Sequence, residues 1–472
     1  MDVLMSYCEA SQAAGGRFPE GADFSGGFTA VSIDSRTAGR GSLFTALPGA
    51  VHDGHRFIED AFRAGAGSAL VARSKMEDPS LSLAALARRY NKLLIIVEDT
   101  LKGLQSIAGA YLDKFPRLLR VGITGSSGKT TTKEIAAALV GQEKKTVVNT
   151  GNLNSETGLP LSVFKVRQEH EAGIFEMGMN RKGEISELAG VLKPGLALIT
   201  NIGSAHIGIL GTKGAIAEEK KNIFSRFSGN ETALIPEEDE YAGFLSQGVK
   251  GRVVMYGPGN FPELKGSRDL GLEGSEINWD GRLCRFGLPG KFNLKNAFAA
   301  LAIARELGVS AERIQRGLES VRPLFGRGEI VPGKVTVVRD CYNSNPESLE
   351  AAVEFCDSLD WPGRRVYVIG SMLELGRNSG EAHRRIGRVL ASSLAEKVFL
   401  YGAETETTAA VLASRAFPFF HTEAMEDLEE VLEQYIRPGD LVLLKGSRGC
   451  ALEQLTGILT GEPAMALQRG GF

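Results

Sequence analysis

Apolar residues in this chain gather in short runs, separated by glycine-bearing turns and by stretches with helical spacing. Before residue 115 the runs are Ser42–Leu47, Ser68–Val71 and Leu93–Val97, and each predicts a strand. His55–Ala64 has the spacing of a helix. Phe115-Pro116-Arg117 predicts a boundary, because proline breaks a preceding helix. From Leu118 the pattern becomes strand, glycine loop, helix, repeated. Leu118–Ile123, Ala172–Phe175 and Leu196–Ile199 are its apolar runs, and Lys129–Val140 is a helical stretch between them. Such alternation predicts a mostly parallel sheet with helices on both faces. Residues 230–290, rich in Gly, Pro and charge, show weaker periodicity, and Asn293–Leu307 predicts an alanine-rich helix. A second boundary falls at Pro323–Gly328. Beyond it Val335–Val338, Val366–Ile369, Val398–Tyr401 and Leu441–Leu444 predict the strands of a smaller, Rossmann-like sheet. The expected fold class is α/β in three domains: 1–115, a central phosphate-loop domain at 116–324, and 325–472.

Composition narrows the function classes. A chain of 472 residues with 43% hydrophobic content can bury a core in each of three domains. Its formal net charge of -3, from 54 basic and 57 acidic residues, argues against a nucleic-acid partner. The five cysteines, Cys8, Cys284, Cys341, Cys356 and Cys450, are widely spaced and form no CxxC pair. They argue against a zinc site or disulfide framework and fit a reducing cytosol. No basic segment followed by an apolar run opens the sequence, and no apolar stretch reaches the ~18 residues of a membrane span. The expectation is a soluble cytoplasmic protein.

The sharpest local signal is Gly122-Ile123-Thr124-Gly125-Ser126-Ser127-Gly128-Lys129-Thr130-Thr131, which follows an apolar strand and opens a helix. Glycines let backbone N–H groups approach phosphate oxygens, and a helix N-terminus adds positive potential. Lys129 can reach the β- and γ-phosphates, and the Thr130 hydroxyl can ligate Mg²⁺. The strict phosphate-loop pattern has Gly where this chain has Ile123. Two further strands end in ligand chemistry, at Glu176 and, after a short loop, at His206. Singly, Glu176 could be a solvated loop residue and His206 a helix cap. If the sheet is parallel, both meet Thr130 at one edge and make a credible Mg²⁺ site beside a nucleoside triphosphate.

These residues, with Gly290-Lys291-Phe292-Asn293-Leu294-Lys295-Asn296-Ala297, resemble the Mur ligases over almost the whole chain. Four segments are similar to the branch of that family that adds D-alanyl-D-alanine to a UDP-N-acetylmuramoyl-tripeptide. They are Asp34-Ser35-Arg36 with Asp53-Gly54-His55, Gly151–Asn154 with Gly158-Leu159-Pro160, Glu176–Asn180 with Gly183-Glu184-Ile185, and Asp340–Ser348. The Asp-Asn-Pro-Arg box of a sister branch is absent.

The resemblance implies an ATP-dependent, ADP-forming amide ligase of peptidoglycan synthesis, acting through an acyl phosphate with ATP and two Mg²⁺ ions. By the same resemblance, Ser35 and Arg36 would lie near the uridine end of the substrate. Gly125, Ser126, Ser127, Gly128, Lys129, Thr130 and Thr131 would hold the ATP phosphates. Thr130, Glu176 and His206 would ligate magnesium, and Asn293 and Asn296 would contact adenine or the nearby part of the nucleotide. Arg327 and Asp340 would close over ATP. Asn154 would face substrate, and Lys445 and Ser447 the incoming dipeptide. Lys129, His206 and Lys220 would be the catalytic set. Lys220 would react with CO₂ to give a carbamate, an anionic oxygen ligand for a second metal; Lys221 is the alternative. Asn222 and Ser371 depart from the residues the family commonly has there, Glu and Asp. The expected partners are the two small-molecule substrates, and the chain is expected to be a monomer.

Overall fold

The computed structural model describes residues 2–49 and 52–461. Three parallel or mostly parallel sheets follow one another along the chain. In the first, Ala30–Ser32, Ser42–Thr45, Ser68–Ala72 and Leu93–Val97 lie side by side in that order, all parallel. The second strand stops short of Leu47, whose carbonyl accepts the Gly54 N–H and closes a turn instead. The stretch read as one helix from His55 is a tight 3-10 turn, Gly54–Phe57, capped by the Asp53 carboxylate, and then the helix Ile58–Ala64.

The second sheet has six parallel strands in the order Arg252–Tyr256, Thr232–Pro236, Leu196–Ile199, Leu119–Thr124, Ala172–Glu176 and Thr146–Val148. Helices Lys129–Val140 and Lys291–Glu306 pack on one face through Ile135, Leu139, Ala300 and Leu301. The weakly periodic region, 230–290, carries one edge strand of this sheet and its neighbour, and then an antiparallel sheet of Leu264–Asp269, Ser275–Trp279 and Arg282–Phe286. Only one face of that small sheet is covered. Ile277, Trp279, Cys284 and Phe286 point inward, while Arg268, Glu276 and Arg285 lie on the opposite, outer face. Its apolar residues therefore come singly rather than in runs.

The third sheet runs Glu329–Val331, Thr336–Asp340, Leu441–Lys445, Arg365–Gly370, Lys397–Tyr401 and Phe419–Thr422; the first pair is antiparallel and the rest are parallel.

The cores divide the molecule differently from the sheets. One continuous cluster joins the first two units: Leu104, Ile107 and Tyr111 of the helix Thr100–Asp113 pack with Leu159, Val163, Leu188 and Leu192 of the central unit. Each such fully buried side chain contributes about 1.5–3 kcal/mol. The third unit encloses two clusters of its own, and the central unit touches one of them through partly buried Ile207, Leu272 and Phe292. The five cysteines are unpaired, Cys8 exposed and the other four buried. Among the described residues no helix is long and apolar enough to cross a membrane.

Candidate active site

The parallel register decides what meets what. Ile123 pairs with Glu176 and Thr124 with Ile199, so three strands end together and their following loops share one edge. Carboxyl ends of parallel strands are where open α/β sheets bind ligands. The loop after the middle strand turns into helix Lys129–Val140 through Gly128 at φ +78°. A Cβ there would stand 2.2 Å from Asn296 Oδ1, so only glycine fits between the loop and the helix that carries Asn296. The loop is clamped from the next strand end. Asn201 Oδ1 accepts the Ser127 N–H at 3.1 Å, Thr200 Oγ1 donates to the Ser127 carbonyl at 2.7 Å, and Ser126 Oγ accepts the Gly203 N–H at 2.8 Å.

Beside the loop, Thr130 Oγ1 donates to Glu176 Oε2 at 2.6 Å, and Asn154 Nδ2 donates to Oε1 at 2.6 Å. The expected substrate contact Asn154 thus also orients the carboxylate. Asn149, fully buried, grips the Glu176 backbone at both ends: its amide accepts the Glu176 N–H at 2.9 Å and donates to the Glu176 carbonyl at 3.0 Å. His206 has a left-handed backbone, φ +65°. Its Nδ1 is buried without a hydrogen-bond partner, 3.8 Å from the Glu374 carboxylate. Burial, then the charges of Lys129 and Lys220, push its pKa down to about 3, so the ring is neutral at pH 7 and keeps a lone pair free. A hydroxyl, a carboxylate and a neutral imidazole around one edge fit Mg²⁺ bound together with phosphate oxygens. Among the described residues no three His, Cys, Asp or Glu side chains are grouped to hold a metal by themselves. Ligand oxygens from elsewhere would have to complete such a site.

Two lysines converge on one carbonyl. Lys129 Nζ and Lys220 Nζ each donate to Gly125 O at 2.9 Å. Burial holds both ammonium groups below their usual range, and for Lys220 the charge of Lys129 adds to it. Lys221 points elsewhere, donating to the Phe244 carbonyl at 2.7 Å.

A cleft of about 710 Å³ lies over this edge, between the central and third units. It is lined by Ser126–Thr131, Glu176, His206, Asn293 and Asn296 on one side and by Arg327, Asp340, Tyr342 and Lys445 on the other. Asn293 is buried; its Nδ2 donates to the Pro289 carbonyl, and its Oδ1 accepts from Asn296 at 3.4 Å. Asp340 and Lys445 are register partners on adjacent parallel strands, and their charges meet at 3.0 Å. Lys445 also donates to Asn343 O at 2.7 Å. The Arg327 guanidinium lies 4.0 Å over the Tyr342 ring. Ser447 does not line the cleft: its Oγ accepts the Leu373 N–H at 2.9 Å within the third unit. Ser35 and Arg36 lie outside it too, on a turn after the first sheet's edge strand, where exposed Arg36 pairs with Asp34 at 2.6 Å.

Family models for the Mur ligase family catalytic domain, the Mur ligase middle domain and the Mur ligase glutamate ligase domain match residues 27–111, 123–304 and 326–448. The UDP-N-acetylmuramoyl-tripeptide--D-alanyl-D-alanine ligase of Treponema pallidum is 45% identical over 462 residues, spanning 98% of this chain and 100% of its own. The chain belongs to the Mur ligase family. Its similarity to the Bacillus subtilis ligase of the same name is 33% over 92% of this chain and 93% of that one. Among solved Mur ligases, MurF from Acinetobacter baumannii superposes with a TM-score of 0.87 at 26% identity, covering 97% of this chain and 99% of that one. MurF from Thermotoga maritima in complex with ADP superposes at 0.76 with 28% identity, covering 92% and 97%.

Several residues that hold this cleft together had no role assigned to them from the sequence. Asn149, Asn201 and Glu347 act through hydrogen bonds to residues 27, 74 and 143 positions away, and a polar residue in a loop says nothing about a partner so distant.

Proposed function

We propose that this Mur ligase joins D-alanyl-D-alanine to UDP-N-acetylmuramoyl-tripeptide using ATP, and so makes the pentapeptide precursor of peptidoglycan. The observation that carries this is full-length similarity to a ligase of that name, with the phosphate loop, Glu176 and His206 held together at one sheet edge. A carboxylate is not attacked directly by an amine, since oxide is a poor leaving group. The peptide carboxylate oxygen attacks the γ-phosphorus of ATP, and ADP leaves. The dipeptide amine then attacks the acyl carbon, inorganic phosphate departs, and the amine proton is lost.

This chain's part is to hold and neutralise. Loop N–H groups at the helix N-terminus and Lys129 hold the phosphates and stabilise charge on the transferring group. Asn296 and Asn293 form the wall toward the adenine. Arg327 and Asp340 come to the nucleotide from the third unit, and Lys445 faces the dipeptide. Mg²⁺ when bound supplies a Lewis acid at the phosphate oxygens, held by Thr130, Glu176 and His206. The buried amine of Lys220, not Lys221, would take up CO₂ as a carbamate and serve a second ion. Residues 1–115 would carry the UDP end with Ser35 and Arg36, 116–324 the ATP, and 325–472 the dipeptide, in a cytoplasmic monomer.

The test is phosphate release by the purified chain with ATP and UDP-muramoyl tripeptide, offering D-alanyl-D-alanine, D-alanine, L-lysine or diaminopimelate, with mass spectrometry of the product. Turnover confined to the dipeptide is expected. Faster turnover with a single amino acid on a dipeptide precursor would overturn the assignment.

A further inference from the structure

The third unit reaches the central one through a half-buried hydrogen-bonded contact that the reaction chemistry does not itself require. Glu347, in the first turn of the helix Pro346–Ser358, places its carboxylate against Ser204. The Ser204 hydroxyl donates to Oε1 at 2.6 Å, and its backbone N–H donates to Oε2 at 3.1 Å. Ser204 is buried, and Lys213 of the central unit and Arg385 of the third flank the same carboxylate at 3.6 and 3.8 Å. Close by, a Cβ on Gly208 would lie 2.7 Å from backbone atoms of Glu374, Leu375 and Gly376, so the two units touch backbone to backbone there.

What Glu347 grips is the loop that organises the phosphate site. Between Thr200 and His206 that loop supplies the Thr200, Asn201 and Gly203 contacts to Ser126 and Ser127, and it ends at His206 with its left-handed backbone. A bidentate carboxylate on Ser204 therefore fixes the loop only when the third unit is docked. Charge-assisted hydrogen bonds of this kind are short and directional, and closure that completes a site is a common way to gate turnover.

We infer that Glu347 is a positioning residue that couples docking of the third unit, through Ser204, to the placement of the phosphate loop and His206. The inference rests on the proposed ligase reaction only for its rate readout. It predicts that breaking the contact lowers kcat, because the docked state becomes less populated and less ordered, while the free protein still binds nucleotide.

The experiment compares wild type with Glu347→Ala, Ser204→Ala and the double variant, measuring phosphate release with ATP, UDP-muramoyl tripeptide and D-alanyl-D-alanine. ADP binding by calorimetry and small-angle X-ray scattering with ADP accompany it. Glu347→Gln, which keeps the shape and one acceptor oxygen, guards against misfolding. Glu354→Ala removes an exposed ion pair with Lys291 across the same seam and is the control. Each single variant is expected to lose about tenfold in kcat, with ADP affinity weakened by no more than about tenfold. The double variant should be no worse than the weaker single, Glu347→Gln intermediate, and Glu354→Ala near wild type. Scattering should show the alanine variants more extended with ADP than wild type. Wild-type kcat in Glu347→Ala, losses that multiply in the double variant, or a loss confined to ADP affinity would each overturn it. A wild type that ignores the dipeptide but compacts with ADP, while Glu347→Ala does not, would sink the acceptor assignment and support the coupling.

Discussion

Single residues set the chemistry here through their burial. Lys129 and Lys220 share the Gly125 carbonyl, yet they serve different ends in the proposed reaction. Lys129→Ala should leave the fold intact and cut product formation at least ~100-fold, the cost of losing about 2.7 kcal/mol of charge stabilisation in a preorganised site; circular dichroism and phosphate release together check it. Lys220→Ala should also lose activity, and a short added carboxylic acid should restore part of it by supplying the missing oxygen ligand. Turnover should fall in CO₂-depleted buffer. Lys221→Ala should stay active, since its ammonium lies over the Phe244 ring at 4.5 Å, away from the loop. An inactive Lys221→Ala beside an active Lys220→Ala would move the role one residue along.

At the scale of elements, the helix Pro346–Ser358 shows how local rules hold up the site. Its capping box has Asn345 Oδ1 accepting the Ser348 N–H at 2.9 Å and Ser348 Oγ accepting the Asn345 N–H at 3.1 Å. Asn345→Ala should destabilise the third unit by about 1 kcal/mol, read as an earlier urea midpoint for that unit. The phosphate loop and the long apolar strands were legible in sequence because their signals are local: a glycine turn, a run of Leu, Ile and Val. So was the meeting of Thr130, Glu176 and His206 at one edge, since parallel strands put their carboxyl ends together. The antiparallel sheet of residues 264–286 was not legible, because its outer face is charged and breaks every apolar run. Nor was the placement of Ser447, whose hydroxyl serves the Leu373 backbone rather than the cleft. Sequence neighbours in a motif share a loop, but side-chain direction depends on what that loop packs against.

On the scale of the molecule, three sheets make two mechanical bodies. The first and central units share one core besides a cluster of their own each, whereas the third shares no core with them and leans on partly buried Ile207, Leu272 and Phe292. Scanning calorimetry should therefore resolve two transitions rather than three or one. Because the cleft draws walls from both bodies, ATP with tripeptide should bring the two transitions closer together. Ligand at a hundred times its Kd should add about 2.7 kcal/mol. A single ligand-insensitive transition would contradict the division.

The unpaired cysteines turn that division into a clock. Cys8 is open to solvent, while Cys284 is sealed in the central body and Cys341, Cys356 and Cys450 in the third. Burial pushes the Cys284 and Cys450 thiols up to about 11 and Cys341 up to about 12, so these three carry little thiolate at neutral pH while the protein is folded. A pulse of alkylating reagent should mark Cys8 at once. It should then mark the three thiols of the third body at that body's own opening rate, and Cys284 at a separate rate. Mass-resolved labelling of the unaltered protein would thus time each body's opening without any introduced probe. If Cys284 and Cys356 modified in step, the two bodies would be opening as one.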